Sequence, residues 1–369
     1  MSLTKRRPTF LRFLICLVIG LGLAFGFLLF ANPYYEGFLG KPMLRSGYFT
    51  VAAIAGLVIA LFLLFPTRKP MRLFKWIGRL LTMFVVVVLI FVVGAILEVQ
   101  NDMMFYPGIS DLQGEAKLQS EPMVEEVSIK SGNTTYHGYM YRREAIKSPL
   151  LIYFGGNAEI AASYMSSLVT YSKDQYLAKN YHHLVVDYPG YAKSGGTPNE
   201  ASLKDMAKST MEYALSREDV DHDKIVLMGW SLGTGSAAYL ASEYDAAGLI
   251  LLAPFYNGTT LVNGFIHDQM DIPDRFYTNL PTLLVSNKFP SDEYAKKADE
   301  PTLIIAASKD RMINHEQAER LSHEFKNVQY HLVEGAHSSV TYETEPLQII
   351  ENFLTGIVNP GASQAPAPQ

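Results

Sequence analysis

The residues best placed to do chemistry form the pentapeptide Gly229-Trp230-Ser231-Leu232-Gly233. The apolar run Lys224-Ile225-Val226-Leu227-Met228 directly before it reads as a buried strand. Gly233-Thr234-Gly235-Ser236-Ala237-Ala238 directly after it opens a helix of small residues. In a strand–turn–helix setting of this kind a serine hydroxyl stands exposed on a strained turn. The glycines two before and two after the serine let strand and helix approach closely. The pattern Gly-x-Ser-x-Gly alone is weak, since chance produces it in roughly one chain of this length in ten. Its setting gives it weight over a plain glycine-rich turn.

A serine hydroxyl is a poor nucleophile until a base takes its proton, and the base must be oriented by a third group. Two later residues have the position for these roles. Leu303–Ala307 reads as a strand, and Ser308-Lys309-Asp310 follows at its carboxyl end, which makes Asp310 the candidate acid. The plainer reading of Asp310 is a capping aspartate. Val328–Val333 reads as the last strand, and Glu334-Gly335-Ala336-His337 follows, which makes His337 the candidate base rather than an ordinary loop histidine. Negative charge developing on an attacked carbonyl needs aimed donors. One is the backbone N–H of Leu232. The other is sought in Phe154-Gly155-Gly156-Asn157-Ala158-Glu159, where Asn157 is the first choice and Gly156 the second. A simple Gly-Gly turn capped by Asn157 is the alternative there.

The elements that must hold these residues alternate. Val124–Lys130 and Tyr136–Arg142 read as a hairpin. Apolar runs at Leu150–Phe154, Leu184–Val186, Ile225–Met228, Leu249–Ala253, Leu303–Ala307 and Val328–Val333 then alternate with helix-length segments. Eight strands of this kind predict an α/β fold with a mostly parallel sheet, covered on both faces. Working residues in such sheets lie beyond the carboxyl ends of the strands. The domain is expected over 124–358, after a loose connector at 101–123 rich in Pro and Gly. The apolar segment at about 255–301 reads either as a lid over the site or as a short helix pair packed onto the sheet, and a disordered Pro/Ala/Gln-rich tail is expected at 359–369.

The first hundred residues differ in kind. They carry 11 lysines and arginines against two acids, while the remaining residues carry 20 against 34. An acidic domain of that size argues against nucleic acid as a partner, which needs a basic face. Three uncharged apolar runs, at about 13–31, 48–65 and 80–97, are each long enough to cross a bilayer core of roughly 30 Å as a helix. Tyr34, Tyr35, Tyr48 and Trp76 flank them as interfacial aromatics do. Basic residues precede the first run and lie between the second and third. The positive-inside rule then predicts a cytoplasmic N-terminus and a domain outside a bacterial plasma membrane. No acid or base lies mid-run, so the three helices read as an anchor. The single cysteine, Cys16, lies in the first run, so the domain has neither a disulfide nor a thiolate metal site. No nucleotide loop or metal cluster is present in the pattern, and no cofactor is expected.

Together Tyr153–Glu159, Asp187-Tyr188-Pro189-Gly190-Tyr191, Ser194–Glu200, Gly229–Gly235, Ala253-Pro254-Phe255, Ser308-Lys309-Asp310 and Gly335-Ala336-His337 resemble the Bem46-like serine hydrolases of the α/β-hydrolase superfamily, the ABHD12, ABHD13 and ABHD17 type. The resemblance implies a triad at Ser231, His337 and Asp310, and hydrolysis of acyl esters or thioesters of lipids or acylated proteins. Two departures stand out. The family usually has His-Gly-Asn-Ala at Gly155–Ala158, and Arg at Pro189. A lipid-like ester or thioester is the substrate class that the resemblance implies, and the first departure removes a side chain from the wall of the pocket that would receive it. A peptidase on the same fold and an inactive binding module are the rival readings, and the intact Ser, Asp and His set speaks against the module.

Overall fold

The computed structural model describes residues 10–39, 46–64, 73–143, 147–171, 180–270 and 279–358. The chain divides into two compact units, Met1–Met103 and Met104–Gln369.

The first unit is helical: α1 (Phe10–Leu39), α2 (Ser46–Leu64) and α3 (Leu73–Met104). Three stretches within them are long and apolar enough to cross a membrane: Phe10–Tyr34, Gly47–Leu64 and Lys75–Met104, with mean hydropathy 2.8, 2.4 and 3.2. Helices α1 and α3 run past the expected 13–31 and 80–97, because helix continues through their more polar ends. Large apolar side chains such as Leu14, Phe27, Leu81 and Phe84 point outward, as they do when lipid is the solvent. Small residues hold α1 against α2. A Cβ added at Gly20 would lie 2.2 Å from the Gly56 carbonyl oxygen, and Ala52, Ala55 and Ala60 are buried alongside. Close backbone approach of this kind replaces the hydrophobic drive that hydrocarbon cannot supply.

The second unit opens with more structure than its Pro and Gly content suggested. The stretch expected to be loose contains α4 (Leu112–Leu118), capped by Asp111, whose carboxylate accepts the Gly114 N–H at 2.8 Å. The cap satisfies one of the unpaired donors of the first turn. The same carboxylate accepts from the Ser163 hydroxyl at 3.0 Å, which ties this segment to the domain.

The sheet has eight strands: β1 (Val124–Ser131), β2 (Thr134–Tyr141), β3 (Ser148–Phe154), β4 (His182–Val186), β5 (Val220–Trp230), β6 (Gly248–Leu252), β7 (Thr302–Ala307) and β8 (Val328–Val333). Their spatial order is β1-β2-β4-β3-β5-β6-β7-β8. Strand β2 runs antiparallel to β1 and β4, and β3 through β8 pair parallel. The helices between are α5 (Ala161–Tyr171), α6 (Glu200–Leu215), α7 (Gly233–Ala241), α8 (Gly258–Met270), α9 (Ser291–Ala295), α10 (His315–Ser322), α11 (Ser339–Tyr342) and α12 (Thr344–Val358). Alternate strand residues feed opposite cores. Leu150, Ile152, Leu227, Leu251 and Ile304 pack with Leu203 and Met206 of α6 and Leu240 of α7. Leu151, Tyr153, Val226, Ile250 and Ile305 pack with Met165 of α5 and Ile350 and Phe353 of α12. A period of two with both faces buried explains why these strands read as continuous apolar runs.

The candidate lid segment contains α8, a 3-10 turn at Thr282–Leu284, and α9. Residues 271–278 within it, and the tail 359–369, lie outside the described residues.

Candidate functional site

The parallel register brings the carboxyl ends of β3, β5, β6, β7 and β8 to one edge. Phe154 is level with Gly229, Trp230 with Leu252, and Ala307 with Val333. The loops carrying Gly156, Ser231, Asp310 and His337 therefore leave the sheet side by side.

Ser231 sits where β5 turns into α7, at φ 51°, in the left-handed region that a side chain disfavours. Its N–H donates to the Leu252 carbonyl at 2.9 Å, and its carbonyl accepts from the Thr234 N–H at 3.1 Å. The flanking glycines are required by space. A Cβ at Gly229 would lie 2.5 Å from the Gly233 oxygen, and one at Gly233 would lie 2.0 Å from the Phe154 oxygen. The turn thus folds tightly enough that α7 presses on the end of β3.

Asp310 and His337 meet across two loops. His337 Nδ1 and Asp310 Oδ2 are 2.6 Å apart, with 16% and 1% of the two side chains exposed. A carboxylate can only accept, so Nδ1 carries the hydrogen and Nε2 keeps its lone pair. The other oxygen, Asp310 Oδ1, accepts the N–H groups of Met312 and Ile313 at 2.7 and 2.9 Å. Asp310 is therefore both a turn-capping aspartate and a partner of His337, and the two readings of it are compatible. Gly335, at φ 148°, turns the chain toward His337. Strands β7 and β8 carry these two loops to the site, and what the sequence left open was that one carboxylate would serve both the turn and His337.

Of the candidate anion donors, the Leu232 N–H has no partner among the described residues. The Gly156 N–H donates to Glu159 Oε2 at 3.1 Å, and the Asn157 N–H has no partner among the described residues. That favours Asn157 over Gly156 as the second donor. The Asn157 side chain faces elsewhere, its Oδ1 accepting from the Tyr191 hydroxyl at 3.1 Å. Ala158 follows at φ 67°. Sequence reasoning missed Glu159. Its buried carboxylate also accepts from the Tyr153 hydroxyl at 2.8 Å, and burial raises its pKa. The sequence signal was an acid four residues after Gly155, at the end of the glycine-rich loop.

The loop is held from below by Asp187, at the end of β4, which accepts the N–H of Ala161 at the start of α5 at 2.7 Å. Burial pushes the Asp187 carboxyl up to about 7. A carboxyl with a raised folded-state pKa contributes stability below its unfolded value, and that contribution fades as pH rises from about 4 to about 7. Asp187→Asn keeps an acceptor for Ala161 and removes the titration. The variant is expected to be more stable than the wild type above pH 7, by an amount on the order of a few kcal/mol, with the difference shrinking toward pH 4. Thermal unfolding of both proteins across that range measures it, and a pH-independent difference would refute it.

Comparison with known proteins agrees with this architecture. Residues 149–291 match a family model described as the alpha/beta hydrolase fold. That stretch includes Ser231 and the Gly155–Glu159 loop and ends before Asp310 and His337. The human protein ABHD12B is 32% identical over 184 residues, which is 47% of this chain and 49% of that protein. The α/β hydrolase domain-containing protein 17C of Xenopus tropicalis is 28% identical over 171 residues, 46% of this chain and 51% of its own. The chain spans about half the length of the curated relatives it matches. A solved esterase of Pyrococcus furiosus has a TM-score of 0.51 at 18% identity, covering 68% of this chain and 96% of that one. A solved protein described as a putative lipase from Acinetobacter baumannii has 0.51 at 19% identity, covering 68% and 98%. At such identity these structures establish the fold. The chain has an α/β-hydrolase fold, and the proteins it resembles in sequence include ABHD12B and an α/β hydrolase domain-containing protein 17C.

Proposed function

We propose that this chain is a membrane-anchored serine hydrolase that cleaves carboxylic ester or thioester bonds of lipid-like acyl substrates. The observation that carries the reading is the Asp310–His337 pair, 2.6 Å apart, at the same edge of the sheet as a serine held at φ 51°. In this reading His337 Nε2 takes the Ser231 proton as the hydroxyl oxygen attacks the acyl carbon. The N–H groups of Leu232 and Asn157 receive the charge on the carbonyl oxygen. The bond to the leaving group breaks as His337 returns the proton to it, leaving an acyl ester on Ser231. Water, deprotonated by His337, then releases the acid. Asp310 holds the imidazole in one tautomer throughout.

Three apolar helices support an anchor in a bilayer, and the distribution of basic residues supports a cytoplasmic N-terminus with the domain on the other side. The apolar segment around α8 and α9 supports an acyl-chain substrate over a charged one.

The test is a fluorophosphonate probe on the full chain in detergent, followed by p-nitrophenyl esters of rising chain length beside peptide anilides. The reading expects one label, on Ser231, and turnover of the esters. Equal labelling of Ser231→Ala would overturn it, and anilide turnover without ester turnover would make the enzyme a peptidase.

A further inference from the structure

The residue before the serine is a tryptophan, and the two contacts of its indole have a bearing on the site. On one side, the Trp230 and His337 rings lie with centroids 5.7 Å apart and planes at 32°. On the other, Trp230 lies against the loop after β3. A Cβ added at Gly156 would fall 2.7 Å from Trp230 Cε3 and 2.8 Å from Cζ3. Gly156 does not adopt the left-handed backbone that demands glycine, so the indole is what excludes a side chain there. The indole thus fills the space between the histidine and the loop that carries the anion donors. Its Nε1 is buried without a hydrogen-bond partner among the described residues. An orphaned donor is destabilising, so it is the ring and not the N–H that serves this site.

We propose that Trp230 is a positioning residue that couples the base to the anion-binding loop. The proposal rests on the serine-hydrolase reading above. The imidazole becomes a cation only while the acyl intermediate forms and breaks. The negative face of an indole attracts a cation within about 6 Å of its ring, so the contact strengthens in the transition state rather than in the resting enzyme. The same ring packs against Gly156 and limits how Gly156, and with it Asn157, can shift relative to the serine. An interaction gained only in the transition state acts on kcat and leaves KM alone.

The experiment uses four variants of the full chain, Trp230→Leu, Trp230→Phe, Gly156→Ala and the double variant Trp230→Leu/Gly156→Ala. Ester hydrolysis is normalised to the fraction of Ser231 that a fluorophosphonate labels, so unfolded protein does not count. Trp230→Leu keeps apolar bulk and loses the π face, and is expected to lower kcat about 3- to 30-fold at unchanged KM. Trp230→Phe keeps a π face without the orphaned N–H and is expected to recover most of that loss. Gly156→Ala is expected to be more damaging in the wild-type background than in the Trp230→Leu background, because the methyl collides with the indole and not with the shorter leucine side chain. Equal kcat in Trp230→Leu and wild type, no recovery with phenylalanine, or the same Gly156→Ala penalty in both backgrounds would each overturn the proposal alone. A wild type that takes no label and turns over no ester would overturn the hydrolase reading, and this proposal with it.

Discussion

Ser231→Ala is expected to lower kcat on its best ester by roughly 10⁴-fold or more while leaving the protein folded. The methyl group occupies less space than the hydroxymethyl, and among the described residues no hydrogen bond of the Ser231 side chain supports the turn. The backbone bonds to Leu252 and Thr234 are untouched. Alanine accepts φ 51° no worse than serine does. What the proposed reaction loses is the oxygen that would form its acyl ester. His337→Ala should cost nearly as much, and the double variant little more than either alone, because the residues act on one proton in one step. Circular dichroism and thermal unfolding should coincide with the wild type. A variant retaining a tenth of the activity would show that the serine is not the nucleophile.

The second large effect is structural. Gly233→Ala is expected to destabilise the domain by about 3 kcal/mol or more, and to lower the fraction of protein that accepts a fluorophosphonate. The added Cβ would lie 2.0 Å from the Phe154 oxygen, 2.5 Å from its carbon and 2.7 Å from the Gly155 oxygen. All three are backbone atoms, so no rotamer change relieves the contact. Either α7 lifts off β3, or the loop after β3 shifts and carries Asn157 with it. Gly264→Ala in α8 is the control. Its Cβ would meet only Gln317 Nε2, at 3.7 Å. Replacing a helical glycine by alanine in open space favours the helix by up to about 1 kcal/mol. Thermal midpoints that fall for Gly233→Ala and hold or rise for Gly264→Ala are the expected pair. A tolerated Gly233→Ala would mean that the elbow is looser than the contacts indicate.

Much of the fold could be read from the chain because its signals are local. Each buried strand is a short apolar run, since alternate residues feed two different cores and neither can be polar. The hairpin at β1 and β2, the helices between the later strands, and the elbow at Ser231 each show within a dozen residues. The order of Ser231, Asp310 and His337, each following a strand, is likewise a property of sequence. Helix α4 was not legible, because it depends on a cap from Asp111 and on a bond to Ser163, a residue 52 positions further along the chain.

Local pattern therefore marks where the eight strands form, though the fifth runs two residues beyond its expected end to Trp230, and that three apolar helices precede the domain. The packed fold sets how the ends of those strands meet. It commits the Gly156 N–H to Glu159 and leaves that of Asn157 without a partner among the described residues, and it divides Asp310 between the turn and His337. It also places Trp230 between Gly156 and the histidine. The Gly156 and Asp310 turn bonds span only two or three residues, but the meeting of Asp310 with His337 and of Trp230 with both Gly156 and His337 joins segments 27 to more than a hundred residues apart, set by parallel register and close packing.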